Sequence, residues 1–180
     1  RKRSRLNMIL YNLFPLLAGS FHRWGEHFQR AAALGFDWVY INPIQQLGAS
    51  RSLYSIADYF QLNPALLDPA SPAPPDEQCR QMIEQARAAG LKVMIDLVIN
   101  HCAYDAPLTR EHPEWFVREP DGRIAHASCQ HGLEKVVWQD LAQFDHQHTR
   151  DPEGLYHYCL RVTEHLLALG FEGFRCDAAS

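Results

Sequence analysis

Leu91-Lys92-Val93-Met94-Ile95-Asp96-Leu97-Val98-Ile99-Asn100 follows directly on Gly90, which closes a stretch of helical periodicity. In that stretch Pro74-Pro75 leads into Asp76 and Glu77, where the helix dipole favours acids, and Cys79, Met82, Ile83 and Ala86 recur at steps of three and four. The same grammar appears on either side. A helix over roughly Ser20–Leu34, with Phe21, Trp24, Phe28 and Ala31 on one face, ends at Gly35 before Phe36-Asp37-Trp38-Val39-Tyr40-Ile41-Asn42-Pro43. A third, capped near Asp151-Pro152, carries Leu155, Cys159, Val162, Leu166 and Leu169 and ends at Gly170 before Phe171-Glu172-Gly173-Phe174-Arg175-Cys176-Asp177. Glycine just past a helix supplies a left-handed turn without a Cβ penalty. With Met8–Phe14 as an opening strand the order is βαβαβαβ. Nearly continuous apolar strands joined by helices define an α/β protein with a parallel sheet and right-handed crossovers. On this pattern Trp24, Trp38 and Phe171 belong to core faces.

The chain has 180 residues, 47% of them hydrophobic, with 17 Lys and Arg against 21 Asp and Glu. Its basic cluster, Arg1-Lys2-Arg3-Ser4-Arg5, reads as a leader or linker; removing its four charges from the 17 leaves 13 against 21. An acidic body does not favour nucleic acid, so no such partner is expected. Charges interrupt every apolar run before it could cross a bilayer core of roughly 30 Å, so no membrane partner is expected either. The five cysteines show no CxxC spacing and read as reduced, buried residues of a cytoplasmic protein.

Two connections are long: roughly thirty residues after the second strand and roughly fifty, His101 to Arg150, after the third, well beyond the roughly 15 at which loops become functional or disordered. Both follow C-terminal strand ends, where α/β folds bind ligands. They are read as loops rich in aromatics and His: Tyr104, Trp115, Phe116, His126, His131 and Trp138. His126 to His131 has the residue types of a metal site at a nonstandard spacing and is read as a surface loop. HExxH, GxSxG, GxxxxGK[ST] and GxGxxG are all missing from the sequence.

Polar residues at the strand ends are the candidates for chemistry. Arg175 and Asp177 are two apart on the fourth strand and so share a face, while Asp96 projects from the third. A guanidinium beside a carboxylate keeps it ionised. Asp177 is the candidate catalytic carboxylate; Asp96 either takes part or only orients Arg175. His101, just past the third strand, is either a donor to a substrate hydroxyl or a residue that caps the loop.

DLVINH at Asp96–His101 and GFRCD at Gly173–Asp177 resemble two signature regions of the alpha-amylase family, glycoside hydrolase family 13. ILYNLFP at Ile9–Pro15 and VYINPI at Val39–Ile44 look like its first two barrel strands. YSIADY at Tyr54–Tyr59 is similar to its Y-D-x-x-D-Y loop with Ser55 in place of Asp. WQDLAQ at Trp138–Gln143 resembles the close of its inserted domain. The resemblance implies a (β/α)8 TIM barrel, of which this chain holds the first four strands and the domain inserted after the third. The divisions are a leader at 1–5, barrel at 6–100, an inserted domain at 101–150, and the third helix with the fourth strand at 151–180.

The activity implied is retaining hydrolysis or transglycosylation of α-linked glucans or maltooligosaccharides through a covalent glycosyl-Asp intermediate. Asp177 falls on the nucleophile and Arg175 on the residue that places it. His101 falls on a sugar-hydroxyl donor, Tyr54 on the aromatic platform beneath that sugar, and Asp96 on a mainly structural acid. Asn100 falls on a calcium ligand of some members, and Asp140 adds an oxygen donor; no cofactor is expected to be required, with calcium an option. Ser180 stands where many amylases carry Lys or His. Such chemistry needs two carboxyl groups about 5 Å apart. The family's acid/base Glu follows a fifth strand, so the 180-residue chain alone is expected to be inactive. Its first and fourth strands would be open edges prone to self-association. The alternative is a non-catalytic glucan-binding or partner-docking homologue on the same scaffold.

Overall fold

The computed structural model describes residues 8–132 and 134–178, with His131 described by its backbone alone. The basic leader, Ala179, Ser180 and the His131 side chain lie outside the described residues. In chain order the elements are β1 (Leu10–Leu13), α1 (Pro15–Ala18), α2 (Gly25–Ala33), β2 (Trp38–Ile41), β3 (Gln45–Leu47), β4 (Ile56–Leu62) and α3 (Pro75–Ala88). There follow β5 (Lys92–Leu97), β6 (His101–Ala103), α4 (Leu108–Glu111), β7 (His126–His131), β8 (Glu134–Gln143), α5 (Pro152–Leu169) and β9 (Gly173–Cys176). They fall into two compact units. One takes in the chain up to Ile44, Pro64–Asp96 and Leu166–Arg175; the other takes in Gln45–Asn63, Leu97–His165 and the chain from Cys176.

The first unit holds the repeat. Its sheet has the order β1-β2-β5-β9, with β1 parallel to β2 and β2 parallel to β5. These are the first four strands of the α/β barrel. Val39, Ile41, Val93 and Ile95 are fully buried, as the unbroken apolar runs require. The helices pack through the expected faces: Phe28, Ala31, Cys79, Met82, Ile83 and Ala86 are all inaccessible. The first helix starts later than its periodicity predicts. Phe21–Arg23 is a turn of 3-10 helix, and Trp24 donates its indole N–H to the Gly19 carbonyl at 2.8 Å. Gly35, Gly90 and Gly170 stop their helices at φ of 88°, 83° and 113°, as read from the sequence. Trp38 corrects the core reading: it is only half-buried, with the Lys92 ammonium 5.4 Å from its ring.

The second unit replaces the expected loops with sheets. β3 and β4 form an antiparallel pair with register shifts at Gln46. β6, β8 and β7 form a three-stranded antiparallel sheet, so His126–His131 is a strand rather than a surface loop. Its core includes Ile56, Cys102, Trp115, Phe116, Phe144 and Leu155, and the Phe116 and Phe144 rings stack at 4.9 Å. Asp151 caps α5: one carboxylate oxygen accepts the Gly154 amide at 3.0 Å, the other the Trp115 indole N–H at 2.9 Å. Those two donors hold its carboxyl below the usual range.

The cysteines depart from expectation. Cys79 and Cys102 are buried, Cys159 is intermediate, and Cys129 and Cys176 are exposed. Among the described residues no helix is long and apolar enough to cross a membrane.

Candidate active site

β5 of the first unit carries Asp96 near its C-terminal end, wholly shielded from solvent. Arg175 of β9 places Nη1 2.8 Å from Asp96 Oδ1, and the Tyr40 hydroxyl donates to Oδ2. The polar chain continues along the strand ends. Asn42 Nδ2 donates to the Tyr40 hydroxyl at 3.4 Å, and Asn12 Nδ2 donates to Asn42 Oδ1 at 2.9 Å. A buried carboxylate is tolerable only with such partners. Tyr40, Asn42 and Asn12 were not singled out from the sequence; the signal available was that they are the polar groups in or just after otherwise apolar strand runs.

The second unit holds the remaining candidates. β6 begins at His101, which is 5% exposed and is anchored by the Tyr59 hydroxyl donating to its carbonyl at 2.6 Å. β9 ends at Cys176, so Asp177 begins the turn that follows, its amide donating to the Leu97 carbonyl at 3.1 Å. His101 Nε2 lies 4.0 Å from Asp177 Oδ2. That nitrogen is buried and has no hydrogen-bond partner among the described residues. Burial pushes the imidazole below its ordinary pKa, outweighing the pull of Asp177, the Tyr54 backbone and Asp140 in the other direction. The imidazole edge thus faces the Asp177 side chain across a gap.

The gap opens into a cavity of about 450 Å³ lined by Tyr54, Asn100, His101, Trp138, Asp140 and Asp177, among others. Five of the seven residues singled out from the sequence therefore share one cavity, and the other two, Arg175 and Asp96, form the ion pair of the first unit. Cys129, expected to be buried, also lines this cavity. Ser55 does not: it is fully buried and donates Oγ–H to the Asp140 carbonyl at 3.2 Å. Among the described residues two non-glycine residues hold positive φ, Arg51 at 62° and Ala178 at 47°. They flank Ser52 and Asp177 of the cavity wall, and backbone strain of this kind concentrates at functional sites.

Asn100 and Asp140 bring two side-chain groups to the cavity, against the 6–8 oxygens that calcium takes. No group of three His, Cys, Asp or Glu side chains able to hold a metal occurs among the described residues. Among the described residues the side chains do not by themselves supply such a donor set. His126 instead stacks on Tyr104 at 4.3 Å.

The second unit's candidates thus line one cavity that brings a carboxyl group, an imidazole and aromatic rings together. Residues 6–118 match the family model described as glycogen debranching enzyme, glucanotransferase domain. The chain belongs to that family and, with its relatives, to the alpha-amylase family, glycoside hydrolase family 13. It is 32% identical over 175 residues to the alpha-1,4-glucan:maltose-1-phosphate maltosyltransferase of Mycolicibacterium smegmatis, covering 88% of this chain and 24% of that protein. A maltosyltransferase of the same description from Streptomyces coelicolor is 30% identical over 189 residues, covering 93% of this chain and 27% of the relative. The chain thus spans about a quarter of the length of the curated relatives it matches. Among solved structures, an alpha-amylase from Lactobacillus plantarum superposes with a TM-score of 0.75 at 27% identity, over 96% of this chain and 38% of that one. The maltogenic alpha-amylase AmyB of Thermotoga neapolitana shares the fold at a TM-score of 0.77 and 24% identity, over 96% and 39%.

Proposed function

We propose that this chain carries the nucleophile side of a retaining active site that hydrolyses or transfers α-linked glucosyl or maltosyl units. The observation that carries the reading is the buried, unpartnered His101 Nε2 facing the Asp177 carboxylate at 4.0 Å within the cavity. Asp177 attacks the anomeric carbon, the glycosidic C–O bond breaks, and a glycosyl ester forms on the carboxylate. Water, or the hydroxyl of a second sugar, then cleaves that ester. His101 hydrogen-bonds through Nε2 to a hydroxyl of the sugar under attack, which gives the buried nitrogen a partner it otherwise lacks. Tyr54 lies under the same sugar. Arg175, tied to Asp96, positions the segment that leads into Asp177.

The leaving oxygen needs a proton from a second carboxyl group about 5 Å from the nucleophile. By the family resemblance that is a Glu after a fifth strand, beyond the four-stranded sheet of the described residues. Residues 101–150 serve as the domain inserted in the barrel.

The test is Asp177→Asn in the intact protein. Turnover of maltooligosaccharides should fall by about 10³-fold or more with thermal unfolding unchanged. A fluorinated glycosyl fluoride, which makes a slowly cleaved ester, should add one glycosyl unit to the peptide containing Asp177. Labelling of any other carboxylate removes the nucleophile assignment, and a variant with near-normal turnover removes the catalytic reading.

A further inference from the structure

The sheet of the first unit has two unlike faces. Val39, Ile41, Val93 and Ile95 point to one of them and are fully buried. Partners in a parallel ladder share a face, so the register that aligns Asn12, Tyr40 and Met94 puts all three on the other. Asn42 and Asp96, two residues further along, lie on that second face too. β9 approaches it as well: a Cβ on Gly173 would come 3.1 Å from Trp38 Cζ3 and 3.3 Å from the Met94 Cβ, and Arg175 follows two residues later. Tyr40 and Met94 are only half-buried, yet Asp96 on the same face is wholly shielded.

Each of the four strands contributes a link to one directed chain of hydrogen bonds. Asn12 of β1 donates twice from Nδ2, to the Tyr40 carbonyl at 3.1 Å and to Asn42 Oδ1 at 2.9 Å. Asn42 Nδ2 donates to the Tyr40 hydroxyl, whose own proton goes to Asp96 Oδ2. Arg175 of β9 reaches Oδ1 of the same carboxylate at 2.8 Å. The side-chain donors thus lead toward Asp96 from both sides, and bonds in such a series polarise one another. A carboxylate held through one oxygen can turn about its Cβ–Cγ bond, a soft torsion. With a donor on each oxygen its plane is fixed, and the guanidinium on Oδ1 is fixed with it.

Arg175 is the penultimate residue of β9, which runs on through Cys176 into Asp177. We propose that Tyr40 is a positioning residue for the reaction. Backed by Asn42 and Asn12, its hydroxyl fixes the Asp96 carboxylate and, through Arg175, the end of the strand that leads into Asp177. A nucleophile displaced by about 1 Å can lose on the order of 10²-fold in rate, so a hold spread over four strands bears directly on turnover. This rests on the proposed function and adds residues that act on the reaction through another side chain.

The experiment uses the intact protein and compares Tyr40→Phe, Asp96→Asn and the double variant. Tyr40→Phe should lower kcat on maltooligosaccharides by about tenfold with KM within about twofold, because the bond removed is not one to the sugar. Ester formation from the fluorinated glycosyl fluoride should slow by the same factor. Asp96→Asn should lose more, and Tyr40→Phe on top of it should cost less than about twofold further, since both act through one carboxylate. Asn12→Ala, two links further out, should lower kcat by about threefold, and it decides the question by the same measure if Tyr40→Phe does not fold. Thr109→Val removes another buried hydroxyl, which donates to the Ala106 carbonyl, and should leave kcat unchanged. A parental kcat in Tyr40→Phe overturns the positioning role and leaves the proposed function standing. A rise in KM alone, an equal loss in Thr109→Val, or losses that multiply in the double variant does the same. If Asp177→Asn keeps its turnover, the role falls together with the functional reading.

Discussion

Arg175 Nη1 sits 2.8 Å from Oδ1 of Asp96, a carboxylate with no solvent exposure, while the guanidinium itself remains half-exposed. The pair is therefore desolvated on one side only. Arg175→Ala leaves a buried charge with the Tyr40 hydroxyl but without its cation. It should cost about 2–3 kcal/mol, less than a fully buried pair because water reaches the arginine. Asp96→Asn keeps a hydrogen-bonding group in place and should cost about 1 kcal/mol. Urea unfolding of both variants checks the order. Equal stability of Arg175→Ala and the parent would mean that the arginine acts only on catalysis.

His101 gives the stability a pH dependence. Its pKa in the folded chain lies below the ordinary value, so between that lowered value and about 6.5 the unfolded chain binds more protons. Stability is then fully present above pH of about 6.5 and is lost as the pH falls from there through the folded value. His101→Gln should flatten this acid limb. Thermal unfolding of parent and variant between about pH 7.5 and 5.5 measures it, and parallel curves would assign the limb to other groups.

Ser55 is buried, with its hydroxyl bonded to the Asp140 carbonyl. Ser55→Ala should cost about 1 kcal/mol by leaving that carbonyl short of a donor. Ser55→Asp, the family's usual residue, sets a carboxylate against a carbonyl in a site without exposure and should cost more. Chemical unfolding with an unchanged m-value checks both.

Gly48 has no room for a side chain. A Cβ there would lie 2.5 Å from Asp105 Oδ1 and 2.6 Å from the Ala103 Cβ, and Asp105 also accepts the Ala49 amide at 3.0 Å. Gly48→Ala should destabilise by about 1–3 kcal/mol. A melting temperature equal to that of the parent would show that the strands separate without cost.

The five cysteines should fall into three classes toward a thiol reagent. Cys129 and Cys176 are exposed and should react first. Cys159, its thiol pushed up to about 11 mainly by burial, should react slowly. Cys79 and Cys102, buried and raised further, should need unfolding. Maltose that protects Cys129 but not Cys176 would place the sugar against β7.

The parallel sheet was legible because its signal is local and periodic. Helical faces such as Cys79-Met82-Ile83-Ala86, the stops at Gly35, Gly90 and Gly170, and strands without polar interruption each follow from the chemistry of a few neighbouring residues. Asp177 and His101 were singled out for a related reason, since each follows a strand end where topology puts ligands, whereas Tyr54 was singled out by the family resemblance alone; all three line one cavity. Only the tertiary structure decided the rest. Whether His126–His131 is loop or strand depends on its pairing with Glu134–Gln143, and no local pattern in a half-exposed antiparallel hairpin fixes that register. Trp38 shows the same limit, since its strand reads as core while its position in the sheet leaves it half-covered. So do the cysteines, whose burial depends on distant segments and not on spacing. Arg175 reads as the neighbour of Asp177 in sequence, yet its 2.8 Å contact is with Asp96, 79 residues away. Sequence fixes which groups alternate along a strand; which carboxylate a guanidinium meets is fixed by how the strands lie side by side.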